Sequence, residues 1–371
     1  MSKKVKNIVL TVLMAVLFIG LFGWNIAKEE DKFSNSERRV LRTFPELSVE
    51  TVLSGEFMEE FKHYTLDQFP MRDTFRSIKA VFSHYVFMNM DNNDVILENG
   101  HISKLEYPTR EDSLSHAADR FANIYDNFIK DSGSNVYLSV VPDKNYFLAK
   151  DGGYLSIDYN ELISYMREKM DYAEYIDIVP MLSEDDYYFT DSHWRQENIT
   201  DIAAHIASQM GAPYTDDFTV STLDNPFYGT YYGQAALPLK PDTIKYLTNK
   251  AIENCTVKGV DEKTGKYVTM SVYNMENANG KDPYEMFLWG NQPLLVIENP
   301  LNDSGKELVI FRDSFGSSLT PLLIQSYSKI TVVDIRYVYP EILKGLMINF
   351  KNADVLFIYS SLLLNNSSGL K

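Results

Sequence analysis

Five short apolar runs, at residues 136–141, 175–179, 308–311, 330–335 and 355–359, constrain this 371-residue chain more than any other feature. Each has strand length and few polar interruptions, the pattern of strands covered on both faces. Stretches of helical length separate them, at about 160–172, 315–327 and 340–350. Strands alternating with helices predict an α/β fold built on a parallel sheet flanked by helices. In such sheets ligands bind beyond the C-terminal strand ends, so chemistry is expected at that edge. Between about residues 213 and 300 the rhythm gives way to turn residues and short alternating runs, such as 267–273 and 294–298. That stretch predicts a β-rich insertion.

The N-terminus decides the compartment. Residues 7–27 are uncharged and largely apolar, and Lys3, Lys4 and Lys6 precede them. A helix of that length spans about 32 Å, enough to cross a hydrocarbon core of about 30 Å. The lysines favour a cytoplasmic start, which places everything after Ala27 outside and Trp24 at the far interface. A cleaved signal peptide is the competing reading. Asn25 and Ala27 are the nearest pair to the small residues that cleavage needs, and the run is long for a signal-peptide core. The plan is then a cytoplasmic tail at 1–6, a transmembrane signal anchor at 7–27, a stalk with N-terminal helices at 28–90, and a catalytic domain at 91–371 holding the insertion. Helical spacing of apolar residues predicts helices over 54–69, 72–90 and 111–130, with Pro70 between the first two.

Composition removes several classes of function. Lys+Arg 35 against Asp+Glu 51 leaves a formal charge of −16, which argues against tracking a phosphate backbone, so no nucleic-acid partner is expected. The single cysteine, Cys255, excludes an internal disulfide framework or a thiolate zinc cluster in one chain. No metal-ligand spacing stands out. The 25 Tyr, 21 Phe and 3 Trp suit either a core or a carbohydrate-facing surface.

Two segments hold residue types that can do chemistry together. In Arg312-Asp313-Ser314-Phe315-Gly316 a buried strand delivers a serine to a turn that opens a helix. A serine there is either a simple N-cap or a nucleophile exposed at the sheet edge, beside N–H groups able to stabilise an oxyanion. In Thr190-Asp191-Ser192-His193-Trp194 a carboxylate lies two residues from an imidazole on a loop. A serine hydroxyl needs a base to take its proton, and a carboxylate holds that imidazole in one tautomer. Of the other histidines, His63, His84, His116 and His205 fall in helical stretches, and His101 falls in a turn without an obvious partner.

The Asp191–Trp194 motif, followed far downstream by Asp-Ser-Phe at 313–315, resembles the DHHW proteins, in the alginate O-acetyltransferase (AlgX/AlgJ-like) branch of the SGNH hydrolase superfamily. Residues 36–41 with Phe44 and Pro45, 64–72, 142–144, 228–233 and 334–337 fit the same pattern, so the resemblance covers most of the chain from about Ser36. It implies an SGNH-like fold with Ser314 as nucleophile, His193 as general base and acid, and Asp191 orienting His193. Where many SGNH enzymes have Gly-Asp-Ser, this chain has Arg312-Asp313-Ser314. Arg312 is then a candidate donor to an oxyanion or a polysaccharide carboxylate, or a member of a surface ion pair. The Ser314 and Phe315 amides are the expected oxyanion donors. Lys144 and Tyr337 are candidate substrate or supporting contacts, while Tyr231, Tyr232 and Trp194 are candidates to stack on sugar rings or to pack.

The resemblance implies transfer of acetyl groups to an exported polysaccharide through an acetyl-serine, without a cofactor. It also implies a membrane-bound O-acyltransferase as the donor of the acetyl group. Two alternatives stand beside it: a carbohydrate esterase using the same residues with water as acceptor, and a silent polysaccharide-binding scaffold.

Overall fold

The computed structural model describes residues 2–34, 36–260, 266–339, 342–343 and 348–371. It divides into two compact units, Met1–Asn93 with Tyr232–Leu239, and Asp94–Tyr231 with Lys240–Lys371.

The N-terminal unit begins with α1 (Lys3–Ala27), the one helix among the described residues long and apolar enough to cross a membrane. Two short helices, α2 (Val49–Ser54) and α3 (Glu56–Asp67), meet at Gly55. Then α4 (Arg72–Val81) runs into a π-helical turn at Phe82–Val86. Ion pairs fill the middle of this unit. Glu37 takes Arg39, Arg72 and Arg76, and Asp67 takes Arg39 and the Arg42 amide. The Arg39 hydrogen bond holds the Asp67 carboxyl below its usual range against the opposing effect of burial.

The second unit is built on one eight-stranded sheet. After a hairpin (Val95–Glu98 with His101–Lys104) and α5 (Glu111–Ile124) come β1 (Asn135–Val141), α6 (Asn145–Gly152), α7 (Tyr159–Lys169) and β2 (Glu174–Tyr175). There follow α8 (Thr200–Gln209), β3 (Thr256–Val260), β4 (Tyr267–Met270), β5 (Leu294–Glu298), β6 (Glu307–Arg312), α9 (Phe315–Leu323), β7 (Lys329–Val333) and β8 (Asp354–Ser360). The strand order is β4-β3-β5-β7-β6-β8-β1-β2. From β7 to β2 the neighbours are parallel, whereas β5, β3 and β4 pair antiparallel. Alternate residues face opposite layers. Leu308, Ile310, Leu356 and Ile358 join α8 and α9 in one core, and Val309, Phe311, Val355 and Phe357 join α5 and α7 in the other.

The predicted α/β sheet is therefore present, with four differences. The β-rich insertion adds β3, β4 and β5 to the central sheet as antiparallel strands, so the sheet is not wholly parallel, and its Thr219–Thr222 and Lys245–Thr248 pair in a two-stranded sheet of their own. The run at 175–179 contributes only Tyr175 to a strand; Val179–Met181 make a 3₁₀ turn, because Pro180 has no N–H to give a ladder. His101, expected in a turn, pairs with Glu98 in the hairpin, and its buried ring stacks on Phe189 at 4.3 Å. The helix expected over 340–350 falls largely outside the described residues.

Candidate active site

The C-terminal end of β6 presents Arg312, Asp313 and Ser314 in succession before α9 begins. The Asp313 carboxylate accepts the Phe315 N–H (3.0 Å) with one oxygen. With the other it accepts the Ser360 N–H and hydroxyl (2.8 and 2.6 Å) at the end of β8. It thus ties two neighbouring strand ends together and caps α9. Ser314 makes no side-chain cap bond. Its Oγ lies 2.7 Å from His193 Nε2 instead. Gly316 follows because a Cβ there would lie 2.5 Å from Arg312 Cβ.

A loop closed by the antiparallel bridge between Tyr187 and Trp194 supplies the imidazole. Asp191 Oδ1 accepts His193 Nδ1–H at 2.5 Å and the His193 amide at 3.1 Å, and Oδ2 accepts the Thr230 N–H at 2.7 Å. With Nδ1 donating to a carboxylate, Nε2 carries the lone pair that faces Ser314, a tautomer assigned from the hydrogen bonds. Burial of Asp191 favours its neutral form, but His193 and the two amides outweigh this and hold the carboxyl well below its usual range. The other ring face of the site is aromatic: Tyr284 stacks on His193 with centroids 3.9 Å apart and planes 9° apart.

The loop is held from several sides. Asp242 accepts the amides of Phe189 and Thr190 and the Thr190 hydroxyl, at 2.6–2.8 Å. Lys144 Nζ donates to the carbonyls of Tyr188 (2.8 Å) and Phe189 (3.2 Å). Gly229 packs so closely that a Cβ would lie 2.3 Å from the Thr190 carbonyl oxygen. Burial pulls the Lys144 ammonium down to about 7, against the attraction of Asp191, Asp242 and Asp143. Burial pushes the Asp143 carboxyl up to about 6, partly offset by the Asn145 amide, Ser361 and Tyr159.

Asp191, His193 and Ser314 come together; several other expected contacts do not. Arg312 is fully buried and pairs with buried Asp334 at 3.3 Å, so it is neither a surface ion pair nor open to a polysaccharide carboxylate. Trp194 is also fully buried, its indole N–H shared between the Phe315 carbonyl and Ser318 Oγ, and it has no face for a sugar. Tyr231 is buried beneath Lys144 Nζ, 5.5 Å from its ring centre. Tyr232 is half-buried and belongs to the N-terminal unit. Lys144 is too enclosed to meet substrate and acts on the loop backbone. Tyr337 remains exposed, with Arg336 over its ring at 5.3 Å. The Phe315 amide, expected as an oxyanion donor, is given to Asp313. No acceptor among the described residues takes the Ser314 amide.

Tyr284, Thr230, Asp242 and Ser318 also shape the site, although none of them is a candidate site residue from the sequence. Tyr284 and Asp242 come from the insertion, at separations that leave no spacing signal. Thr230 lies in the 228–233 stretch that carried the resemblance. Ser318 sits one turn after Ser314 and joins Trp194, Tyr284 and α9 through its hydroxyl. A cleft of about 840 Å³ lies beside α6 and α7, lined by Tyr146, Phe147, Lys150 and Glu184 among others; none of Asp191, His193 or Ser314 lines it. Among the described residues no group of three or more His, Cys, Asp or Glu converges to hold a metal ion.

Solved structures share this fold. A DHHW family protein from Eubacterium siraeum is 23% identical, with 75% of this chain and 95% of that one covered and a TM-score of 0.57. PatB1 from Bacillus cereus, solved with a sulfonyl adduct, is 19% identical over 73% of this chain and 97% of its own, with a TM-score of 0.59. The O-acetyltransferase domain of Pseudomonas putida AlgJ is 15% identical over 73% of this chain and 92% of its own and superposes more loosely, at a TM-score of 0.43. No family model and no curated protein matches the sequence.

Proposed function

We propose that this chain is a membrane-anchored O-acetyltransferase that works outside the cytoplasm on a cell-envelope or exported polysaccharide. One observation carries the reading: a continuous hydrogen-bonded line from Asp191 through His193 to Ser314, at 2.5 and 2.7 Å, beyond a parallel sheet's C-terminal edge. In the first step Ser314 Oγ attacks the acyl carbon while His193 Nε2 takes its proton. The tetrahedral adduct expels the donor's leaving group, to which His193 returns that proton, and acetyl-Ser314 remains. In the second step an acceptor sugar hydroxyl loses its proton to Nε2 and attacks acetyl-Ser314; the tetrahedral adduct expels Ser314 Oγ, to which His193 returns that proton, and the sugar leaves as the acetate ester. Asp191 stays ionised throughout and balances the imidazolium that forms in each step. The Ser314 amide is the donor proposed for the oxyanion. A membrane-bound O-acyltransferase is the proposed source of acetyl groups, and α1 the proposed anchor.

The test uses the full-length chain in detergent with a chromogenic acetyl ester, with and without an oligosaccharide acceptor. Turnover with acetyl appearing on the sugar is expected, and Ser314→Ala is expected to abolish it while leaving the melting curve unchanged. Free acetate alone, whatever the acceptor, would identify a hydrolase. PatB1 has been solved with a sulfonyl adduct, so a sulfonyl fluoride is the companion probe. It should add one sulfonyl group to Ser314 with loss of fluoride, and a mass shift that persists in Ser314→Ala would overturn the assignment.

A further inference from the structure

In the N-terminal unit α4 is amphipathic the wrong way round for a helix in water. Its inward side carries Arg72, Arg76 and Ser77 with only Ala80 as a buried apolar residue. These polar groups are fully engaged inside the unit: Arg72 and Arg76 with Glu37, Arg76 with the Gly233 carbonyl, and Ser77 with the Ala236 carbonyl. The outward side is a continuous apolar stripe at helical spacing. Phe75, Ile78, Phe82, Tyr85 and Val86 are 43–57% exposed, with Met71 before them and Phe87 and Met88 after them. A surface helix ordinarily turns such a stripe inward, and a contiguous exposed patch of this kind marks a contact surface.

The chain also fixes where this stripe starts. Gln68, at the corner between α3 and α4, accepts the Asp31 N–H at 2.9 Å and donates to the Asp31 carbonyl at 2.8 Å. Asp31 lies four residues beyond the last residue of α1. Four extended residues reach at most about 14 Å. Lys28, at the exit from α1, lines one small cavity together with Phe69 and Met71 at the head of the stripe. The corner from which α4 departs is thus tethered next to the point where α1 ends.

We propose that α4 and its π-helical extension lie on the outer membrane surface, with Phe75, Ile78, Phe82, Tyr85 and Val86 seated in the headgroup boundary. This rests on α1 being the membrane anchor. The occupant of the stripe is lipid: an apolar face with aromatic residues suits that boundary, and the tether leaves α4 little room to stand away from it. A single-span anchor alone leaves a domain free to tumble on its stalk; a second, interfacial helix holds the N-terminal unit in one orientation on the bilayer.

Spin labels on the full-length chain test this in vesicles of phosphatidylcholine and phosphatidylglycerol, with Cys255→Ser as background. Labels at Ile78→Cys and Phe82→Cys are compared with one inside the anchor, at Leu17→Cys. The expected result is that positions 78 and 82 relax faster with oxygen than with a water-soluble nickel chelate, as position 17 does, to a lesser depth. Chelate-accessible labels at 78 and 82 with a lipid-embedded 17 would overturn the inference and leave the anchor standing. Chelate access at 17 as well would remove the anchor and the inference together. Labels at 78 and 82 shielded from both reagents would mean that a protein covers the stripe, which also overturns it. Should either cysteine variant fold poorly, Phe82→Trp in a Trp24→Phe background with brominated lipids gives the same answer, read as quenching beyond that of the Trp24→Phe chain alone or its absence.

Discussion

The two units use apolar and charged residues in opposite ways. In the second unit Leu308, Ile310, Leu356 and Ile358 are buried on one sheet face and Val309, Phe311, Val355 and Phe357 on the other. In the N-terminal unit Leu41, Ala80, Ala235 and Leu237 are the buried apolar residues among those described, while Phe44, Leu53, Met58, Phe82 and Met88 are exposed. What lies inside it is the Glu37 and Asp67 network of ion pairs. Water drives the first arrangement, because burying apolar area is the main favourable term in folding. The second arrangement matches the membrane-surface position proposed for α4, where lipid meets the outer face. On that proposal one chain meets two solvents, and substitutions in each unit strain the contrast at different points.

The largest effect belongs to the site in the second unit. Asp191→Asn is expected to lower turnover of an acetyl ester by about 10⁴-fold, because an amide at that position favours the wrong imidazole tautomer. Thermal unfolding should stay close to wild type. Charged substitutions along α4, such as Ile78→Asp, should leave turnover of the same small ester within twofold in detergent. A loss of ester turnover in Ile78→Asp would break the separation between the two units.

Next comes a matched pair of truncations. Phe311 is fully buried and stacks on Phe357 with centroids 4.7 Å apart. Phe311→Ala should cost about 3–5 kcal/mol in denaturant unfolding, the usual range for a buried aromatic. Phe82→Ala removes the same group from an exposed position and should change stability in detergent by about 0.5 kcal/mol or less. Comparable losses for the two would mean that Phe82 is covered by protein.

This contrast also explains what the sequence made legible. The strands of the second unit read clearly because both faces are apolar, and so did the strand–serine–helix step at 308–323 and the Asp191-His193 pair. Hydropathy also marked the helices of the N-terminal unit, but periodicity shows only that a stripe exists, not which side faces inward. Arg312 and Trp194 looked available to substrate because their types can meet sugars; their complete burial depends on Asp334, Phe315 and Ser318, which only the fold brings near. Tyr284 left no trace in the sequence, since its stacking on His193 requires the insertion to return to the sheet edge. The N-cap reading of Ser314 was decided by Asp313, which takes the capping bond itself.

Cutting the ion pairs in the middle of the N-terminal unit should have a middling effect. Glu37 receives three arginines, and its side chain is 17% exposed. Glu37→Gln should cost about 1–3 kcal/mol, less than the loss from a fully buried pair, because partial exposure lets water replace some of the interaction. The cost should shrink in high salt, unlike that of Phe311→Ala. Equal salt dependence for the two variants would argue that the units are built on the same principle.

The smallest effect compares how each unit encloses a cation. Arg72 and Arg76 face the Glu37 carboxylate, whereas Lys144 in the second unit is enclosed against two backbone carbonyls, with Asp143, Asp191, Asp242 and Arg195 as its charged neighbours. Burial pulls Lys144 down to about 7 in the folded chain, against about 10.4 when unfolded. Between those values the unfolded chain binds more protons, so this group makes stability rise with pH, by at most about 1.4 kcal/mol per pH unit. Asp143, pushed up to about 6, has the opposite sign but titrates below this window: what it adds is present at low pH and lost as pH rises through 6. Urea unfolding of wild type and Lys144→Met at pH 7.5 and 9 isolates the lysine. The wild type should gain stability relative to the variant over that interval, whatever the absolute cost of leaving the Tyr188 and Phe189 carbonyls without a donor. Parallel pH profiles would mean that Lys144 stays charged in the folded state, held by its aspartates as Arg72 and Arg76 are held by Glu37, and the two units would then enclose their cations alike.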